Sequence, residues 1–290
     1  MRTFERGDKL PCVPSFSPAA AHSRLPVSTV LLTKNSAASL PAYLASMREI
    51  DDIIILDGGS ADGTLKLVQS AQNCRVFPQD PRYLDAEGYI IHFSAIRNMG
   101  YALAKHPWIL CVDADERATP ELLSEVRRIL HDGKPGVYYV RRVFYYRGKP
   151  VVSLSWSTGD HVRLFHRSCV QGCVKPVHEK LKILPGAPKG FLHAPVYVPL
   201  PDIASVRRKY DRFLKIEVQA NAGITFQWWL RYIFFRNLLA IARRPLVALA
   251  TRLLPQRGPR MPLAYEWEQM RYSWLVLVRT CPLTGMKKML

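Results

Sequence analysis

The residues best placed to do chemistry are three acids at the end of an apolar run. Trp108-Ile109-Leu110-Cys111-Val112 carries no charge, and Asp113, Asp115 and Glu116 follow with one alanine between the first two. Such a run reads as a strand buried on both faces. Thr119-Pro120-Glu121-Leu122 then opens a helix, with Thr as N-cap and Pro at the first helical position. Two carboxylates two residues apart, just past a strand's C-terminal end, can hold one hard divalent cation while diphosphate oxygens fill its other positions. The plain alternative is a solvated turn followed by acids at a helix N-terminus. A second candidate is Asp57-Gly58-Gly59-Ser60-Ala61-Asp62-Gly63-Thr64. Its glycines let backbone turn close to a ligand, and an Asp at a strand end can accept hydrogen bonds from a base or ribose. The plain alternative here is a strand-to-helix turn with an Asp/Thr cap.

The elements that must position these residues alternate. Val27–Thr33 reads as a strand stopped by Lys34-Asn35-Ser36, and Leu40, Tyr43, Leu44 and Met47 fall at helical spacing. Ile53–Leu56 is a second buried strand, followed by a helix with Leu65, Leu67 and Val68 and a short strand at Arg75-Val76-Phe77. A helix over 90–105 contains Arg97-Asn98 and feeds the strand at 108–112. Strands alternating with helices over 27–131 predict a parallel, doubly wound sheet. The loops after residues 33, 56 and 112 then open on one edge, so one pocket can collect Thr33, Asp57, Asp113 and Asp115. After Gly136, aromatic-rich strands are expected at 137–140, 144–146 and 162–165. Residues 174–200 carry several prolines without a period and read as irregular, and a helix is expected across 202–220.

Net charge is +18, unevenly placed. Residues 1–140 hold 15 Lys and Arg against 16 Asp and Glu, whereas residues 141–290 hold 26 against 7. The excess in the second half points to a polyanionic partner: a membrane surface, a phosphorylated glycolipid or nucleic acid. The six cysteines are scattered and Cys169-x3-Cys173 lacks a second ligand pair at zinc spacing, which suits reduced thiols and a cytoplasmic setting. Residues 1–25, broken by charges and prolines, read as a loose arm and not as a targeting leader.

Taken in order, V-S-x-V-L-L-T-K-N, I-I-I-L-D-G-G-S-x-D-G-T, R-N and W-I-L-x-V-D-A-D-E resemble family 2 glycosyltransferases of the A-type nucleotide-sugar fold, most of all the branch containing bacterial lipopolysaccharide-core glucosyltransferases. The resemblance covers roughly residues 26–185. It implies a Rossmann-like doubly wound mixed sheet over 26–200, and residues 201–290 read from their composition as a basic, aromatic C-terminal helical extension facing a membrane. The resemblance further implies that Thr33 and Asn35 line the nucleotide-sugar site, that Asp57 contacts the nucleobase or its ribose, and that Asp113 reaches the ribose or sugar. Asp115 would ligate Mg2+ or Mn2+ on the diphosphate, and Arg97 could add a phosphate contact unless it is a solvated helix residue. Ser36 departs from the acid that often follows T-K-N in these enzymes, which limits that loop to backbone contacts. Members mostly invert the anomeric centre, which requires a general base. Val177-His178-Glu179 resembles a His-Glu element found after an R-L-F strand, here Arg163-Leu164-Phe165. Glu179 is the expected base, with His178 its neighbour or a diphosphate contact, and Asp160 the other acid in reach. Otherwise Glu179 simply pairs with Lys175, Lys180 or Lys182. The irregular stretch 174–200 would face the acceptor.

Residues 226–254 mix Trp228, Trp229, Tyr232, Phe234 and Phe235 with Arg231, Arg236, Arg243 and Arg244. That composition suits a helix lying in the interface of an anionic membrane. A helix packed on the catalytic domain is the alternative, and single-stranded nucleic acid is a poor second as partner. The combined expectation is a peripheral enzyme on the cytoplasmic face of the inner membrane, moving sugar from a nucleotide donor to a lipid-linked or lipopolysaccharide-type acceptor. A polyprenyl-phosphate acceptor, a nucleotidyltransferase and a non-catalytic basic binding module are the competing readings.

Overall fold

The computed structural model describes residues 24–146, 148–151, 160–176, 179–253, 255 and 259–283. They fall into two compact units, one running to Pro199 and the other formed by Val151 and the residues from Leu200 on.

In the first unit the order is β1 (Leu25–Thr33), α1 (Leu40–Ser46), β2 (Ile50–Asp57), α2 (Thr64–Gln69), β3 (Cys74–Pro78), α3 (Phe93–Leu103), β4 (Trp108–Leu110), β5 (Arg117–Ala118) and α4 (Pro120–Asp132). Then follow β6 (Val137–Tyr146), β7 (Lys149–Pro150), β8 (Asp160–His166), β9 (Val170–Val174), β10 (Lys180–Ile183) and β11 (Lys189–Pro199). The main sheet runs β3-β2-β1-β4-β8-β6-β11-β5, with β7 on β6, while β9 and β10 form a separate hairpin. Strands β3, β2, β1 and β4 are parallel, as the alternation predicts. β8 then runs antiparallel to both β4 and β6. That reversal carries Asp160, at the start of β8, to the edge where β4 ends.

Both faces of the sheet are covered around β2, β1, β4 and β8. Leu31, Ile53, Ile55, Leu110 and Val112 bury one face with Tyr43, Met47, Leu122 and Val126 from α1 and α4. Val30, Ile54, Leu56, Ile109 and Phe165 bury the other with Ile96 and Tyr101 of α3. The alternation of neighbours between two apolar layers explains why these strands read as unbroken apolar runs. Helix α4 starts as its sequence dictates: Thr119 accepts a hydrogen bond from the Leu122 amide, Pro120 opens the helix, and Gly133 closes it in the left-handed conformation.

Two expectations need correction. The segments 137–140 and 144–146 are one ten-residue strand, β6. Residues 174–200 are not irregular, since β10 and the eleven-residue β11 lie there. The prolines of β11 are accommodated at its interruptions. Pro195 falls in the register break between Leu192 and Val196, and Pro199 is the last residue, so neither amide is missed by the ladder.

The second unit is helical: α5 (Ile203–Ala220), α6 (Phe226–Trp229), a π turn over Leu230–Phe234, α7 (Phe235–Leu253) and α8 (Leu263–Thr280). Asp202 caps α5 through the Ser205 amide. Trp229 does not belong to an outward aromatic face. It is buried with Leu214, Ile233, Val276 and Leu277, and its Nε1 donates to Thr280 Oγ1 at 3.1 Å. Trp228, Tyr232, Phe235, Leu239, Leu246, Leu249 and Leu253 are all exposed, and they recur at intervals of three, four or seven residues. No described helix is long and apolar enough to cross a membrane.

Candidate active site

Everything near the catalytic candidates converges on the carboxylate of Asp113. Arg97 of α3 donates NH2 to Asp113 Oδ1 at 2.6 Å and Nε to Glu179 Oε1 at 2.7 Å, so one guanidinium joins two acids 66 residues apart in the chain. Arg163 of β8 approaches Asp113 Oδ2 at 3.4 Å and Glu116 Oε1 at 2.6 Å. Arg142 of β6 lies 2.8 Å from the same Glu116 oxygen. Glu116 is fully buried, and its other oxygen accepts the Asp113 amide at 3.1 Å. Burial alone would push the Asp113 carboxyl up, but Arg97 and Arg163 beside it outweigh that and hold it well below the usual carboxylate range. Burial, then the Asp113 charge, push Glu116 up, while Arg163 and Arg142 oppose them.

Arg97 is therefore a buried, doubly paired residue and not a solvated one, and Glu179 pairs with it instead of with a lysine. The neighbouring Asn98 explains the rest of the R-N pair. Its side chain accepts the Cys173 amide at 2.7 Å and donates to the Cys173 carbonyl at 3.0 Å, clipping β9 to α3. Gly172 sits at φ 97 where a Cβ would lie 2.8 Å from Asn98 Oδ1, so both backbone and space demand glycine there. Asn98 thus holds β9 while Arg97 holds Glu179, next to the start of β10.

These groups line an open cleft of ≈ 560 Å3 that Asp113, Asp160, His161, Arg163 and Glu179 share. Asp160 faces Arg141 of β6 at 3.7 Å. His161 lies at the exposed start of β8, and partial desolvation, then Arg142 and Arg163, lower its imidazole from the ordinary value of 6.5. Burial also raises the Cys173 thiol to about 11, which leaves it protonated and a poor nucleophile. His178 lies outside the described residues.

Asp57 organises the loop that follows β2. Its carboxylate accepts Thr33 Oγ1 at 2.9 Å, Ser60 Oγ at 2.6 Å, the Ser60 amide at 2.8 Å and the Gly59 amide at 3.0 Å. All four bonds are local to the loops after β1 and β2, so Asp57 shapes its loop and ties it to the end of β1. Asn35 adopts φ 50 and accepts the Ala61 amide at 2.8 Å, joining the same two loops. Thr33, Asn35 and Asp57 form one cluster; Arg97, Asp113, Asp160 and Glu179 form another. Arg117 links their loops, donating NH2 to Ser39 O at 3.0 Å and NH1 to Ala114 O at 3.0 Å.

Asp115 stands apart, exposed at the tip of the 113–116 loop and without a hydrogen bond among the described residues. No group of three acidic, histidine or cysteine side chains among the described residues could cage a metal. A single available carboxylate does fit a cation whose remaining ligands are phosphate oxygens and water, the usual arrangement for Mg2+. The Asp113 oxygens are engaged by arginines, so Asp115 is the carboxylate of this loop that could take such a cation.

Sequence reasoning missed Arg142 and His161 and gave Glu116 and Arg163 no role. The signal for Arg163 was a lone charge between Val162 and Leu164 in an apolar strand, which must find a buried acid.

Residues 28–180 match the family described as Glycosyl transferase family 2, which is more than half of the chain, and the chain belongs to that family. It is 36% identical over 114 residues to the lipopolysaccharide core biosynthesis glycosyltransferase LpsC of Rhizobium meliloti, a match covering 36% of this chain and 37% of that protein. A TPR repeat-containing protein of Synechococcus elongatus is 32% identical over 117 residues, 40% of this chain and 27% of that one. An uncharacterized glycosyltransferase of Rickettsia typhi is 23% identical over 145 residues, covering 49% and 46%. The chain thus spans between about a quarter and a half of the length of these curated relatives. Among solved structures, Staphylococcus aureus TarS 1-349 in complex with UDP-GlcNAc aligns over 88% of this chain and 81% of its own, with 16% identity and a TM-score of 0.44.

A titration of the His161 ring protons by NMR checks the electrostatics of the cleft. The midpoint is expected below 6.5, the value for a free imidazole. With the folded value depressed, the unfolded chain takes up this proton first, so the group disfavours the fold increasingly as pH falls below 6.5. A midpoint at or above 6.5 would place His161 outside the field of Arg142 and Arg163.

Proposed function

We propose that the protein transfers a sugar from a nucleotide-sugar donor to a hydroxyl of a lipid-linked or lipopolysaccharide-type acceptor, with inversion. One observation carries the reading: in a family 2 chain, Arg97 fixes Glu179 beside Asp113 at the end of β4. Arg97 engages only Oε1 of Glu179; Oε2 has no partner among the described residues and is available to a substrate proton. The acceptor O–H proton passes to Glu179 as its oxygen attacks the anomeric carbon. The bond from that carbon to the diphosphate breaks on the opposite side, and nucleoside diphosphate leaves. Asp113, held ionised by Arg97 and Arg163, is positioned for ribose or sugar hydroxyls, while the Thr33/Asn35/Asp57 wall receives the nucleoside. Asp115 would hold Mg2+ or Mn2+ against the diphosphate, where the cation neutralises charge on the leaving group.

The acceptor class is supported by the likeness to LpsC and by the second unit. The exposed aromatic and aliphatic stripe from Trp228 to Leu253 is interleaved with exposed Arg231, Arg236 and Arg243. Apolar side chains with flanking arginines suit the interface of an anionic bilayer, which supports a peripheral position on the cytoplasmic face of the inner membrane.

Two measurements test this reading. Glu179→Gln keeps shape and removes the proton acceptor, so turnover should fall by about 10²–10⁴ while donor affinity holds. Collapse of donor affinity with unchanged turnover at saturation would overturn the base assignment. For the membrane, Trp228→Ser combined with Trp274→Ser changes two exposed rings and should lower the fraction co-sedimenting with phosphatidylglycerol vesicles about tenfold. Unchanged co-sedimentation would remove the membrane role.

A further inference from the structure

We infer that Tyr139 and Phe191 form a stacking platform for a pyranose ring of the acceptor. The inference rests on the sugar-transfer reading of the cleft and assigns its far wall. Along β11, Leu192, Ala194 and Val196 point into the core, so Phe191 occupies an outward position where a polar residue is the norm. It is 62% exposed. Phe191 is the register partner of Tyr139, and the two rings stack at 5.4 Å with 28° between planes. Tyr139 lines the cleft that holds Asp113, Asp160 and Glu179.

One pleat repeat further along β6, roughly 7 Å away, Arg141 faces Asp160, both partly exposed. A flat aromatic surface beside charged hydrogen-bonding groups is what a sugar ring requires. Its axial C–H bonds rest on the ring face while its hydroxyls reach the polar side chains.

Two other occupants fit less well. A paired strand would need a free edge, yet the Glu125 carboxylate already takes the His193 and Ala194 amides at 2.8 and 3.0 Å. A nucleobase could stack on aromatic rings too, but the Asp57 loop ends β2, and β1, β4, β8 and β6 separate β2 from β11. At ~4.8 Å per strand that is about 24 Å, with the Asp113 and Glu179 carboxylates between. The platform lies on the side of the reacting centre away from the nucleoside.

Saturation-transfer NMR with a panel of methyl glycopyranosides, on protein saturated with nucleotide, tests the platform in wild type, Phe191→Ala and Phe191→Trp. Wild type and Phe191→Trp should saturate the axial ring protons of at least one pyranoside. Phe191→Ala should lose about tenfold of that signal, equivalent to ~1.4 kcal/mol, with nucleotide affinity unchanged. An undiminished signal in Phe191→Ala, or no pyranoside bound by wild type, overturns the platform. Phe191-dependent pyranoside binding in a protein that binds no nucleotide would uphold the platform and overturn the nucleotide-sugar reading.

Discussion

The structure of the cleft depends on one buried ionic network: Asp113 and Glu116 at the end of β4, threaded by Arg97, Arg163 and Arg142. Each arginine comes from a different element, α3, β8 or β6, so the network ties both halves of the sheet to the covering helix. Ion pairs of this kind gain little over a well-packed apolar core, yet removing one partner strands a buried charge at a cost of about 3–5 kcal/mol. Glu116 and Arg163, the two most buried of the five, are thus mutually obligatory. What the arrangement yields is position. Asp113 is ionised and immobile, and Glu179 is brought to it by the arm of Arg97 it does not use. The reversal of β8 against β4 is equally necessary, because only an antiparallel neighbour delivers Asp160, His161 and Arg163 to the edge where the parallel strands end.

The cluster of Thr33, Asn35 and Asp57 is built on a different principle. Where the reacting centre uses opposite charges, the loops after β1 and β2 use short polar side chains that satisfy backbone amides: Asp57 for Gly59 and Ser60, Asn35 for Ala61, Asp62 for Ala37. These bonds hold the two loops as one edge, and the buried Asp57 carboxylate is satisfied by hydroxyl and amide donors. Lys34 closes this edge by donating to the Gly58 and Glu87 carbonyls at 3.1 and 2.6 Å.

The parallel half of the fold was legible because its signals are local. Apolar runs, the Thr119-Pro120 helix start and the loops at strand ends are fixed by neighbours in sequence, and the structure carries each of them. The acids at 113 and 116 were visible as a cluster, but not which of them would be buried. That depends on Arg142 and Arg163, which arrive from strands that follow a change in sheet direction no local pattern announces. Arg97 was ambiguous for the same reason, since a helical arginine declares its partner only once Glu179 has been folded against it. Pro195 misled because its register break belongs to the pairing of β11 with β6, not to β11 itself. Trp229 misled because Trp228 beside it is exposed, and adjacent positions on a helix face apart.

Isothermal titration of the protein and of Asp115→Ala against UDP, GDP, CDP and dTDP, each with and without Mn2+, bears most directly on the central claim. The account predicts that one nucleoside diphosphate binds the wild type, at least about tenfold more tightly with Mn2+, and that Asp115→Ala loses that gain while retaining the fold. No binding by any nucleotide, or a Mn2+ gain untouched by the substitution, would contradict it.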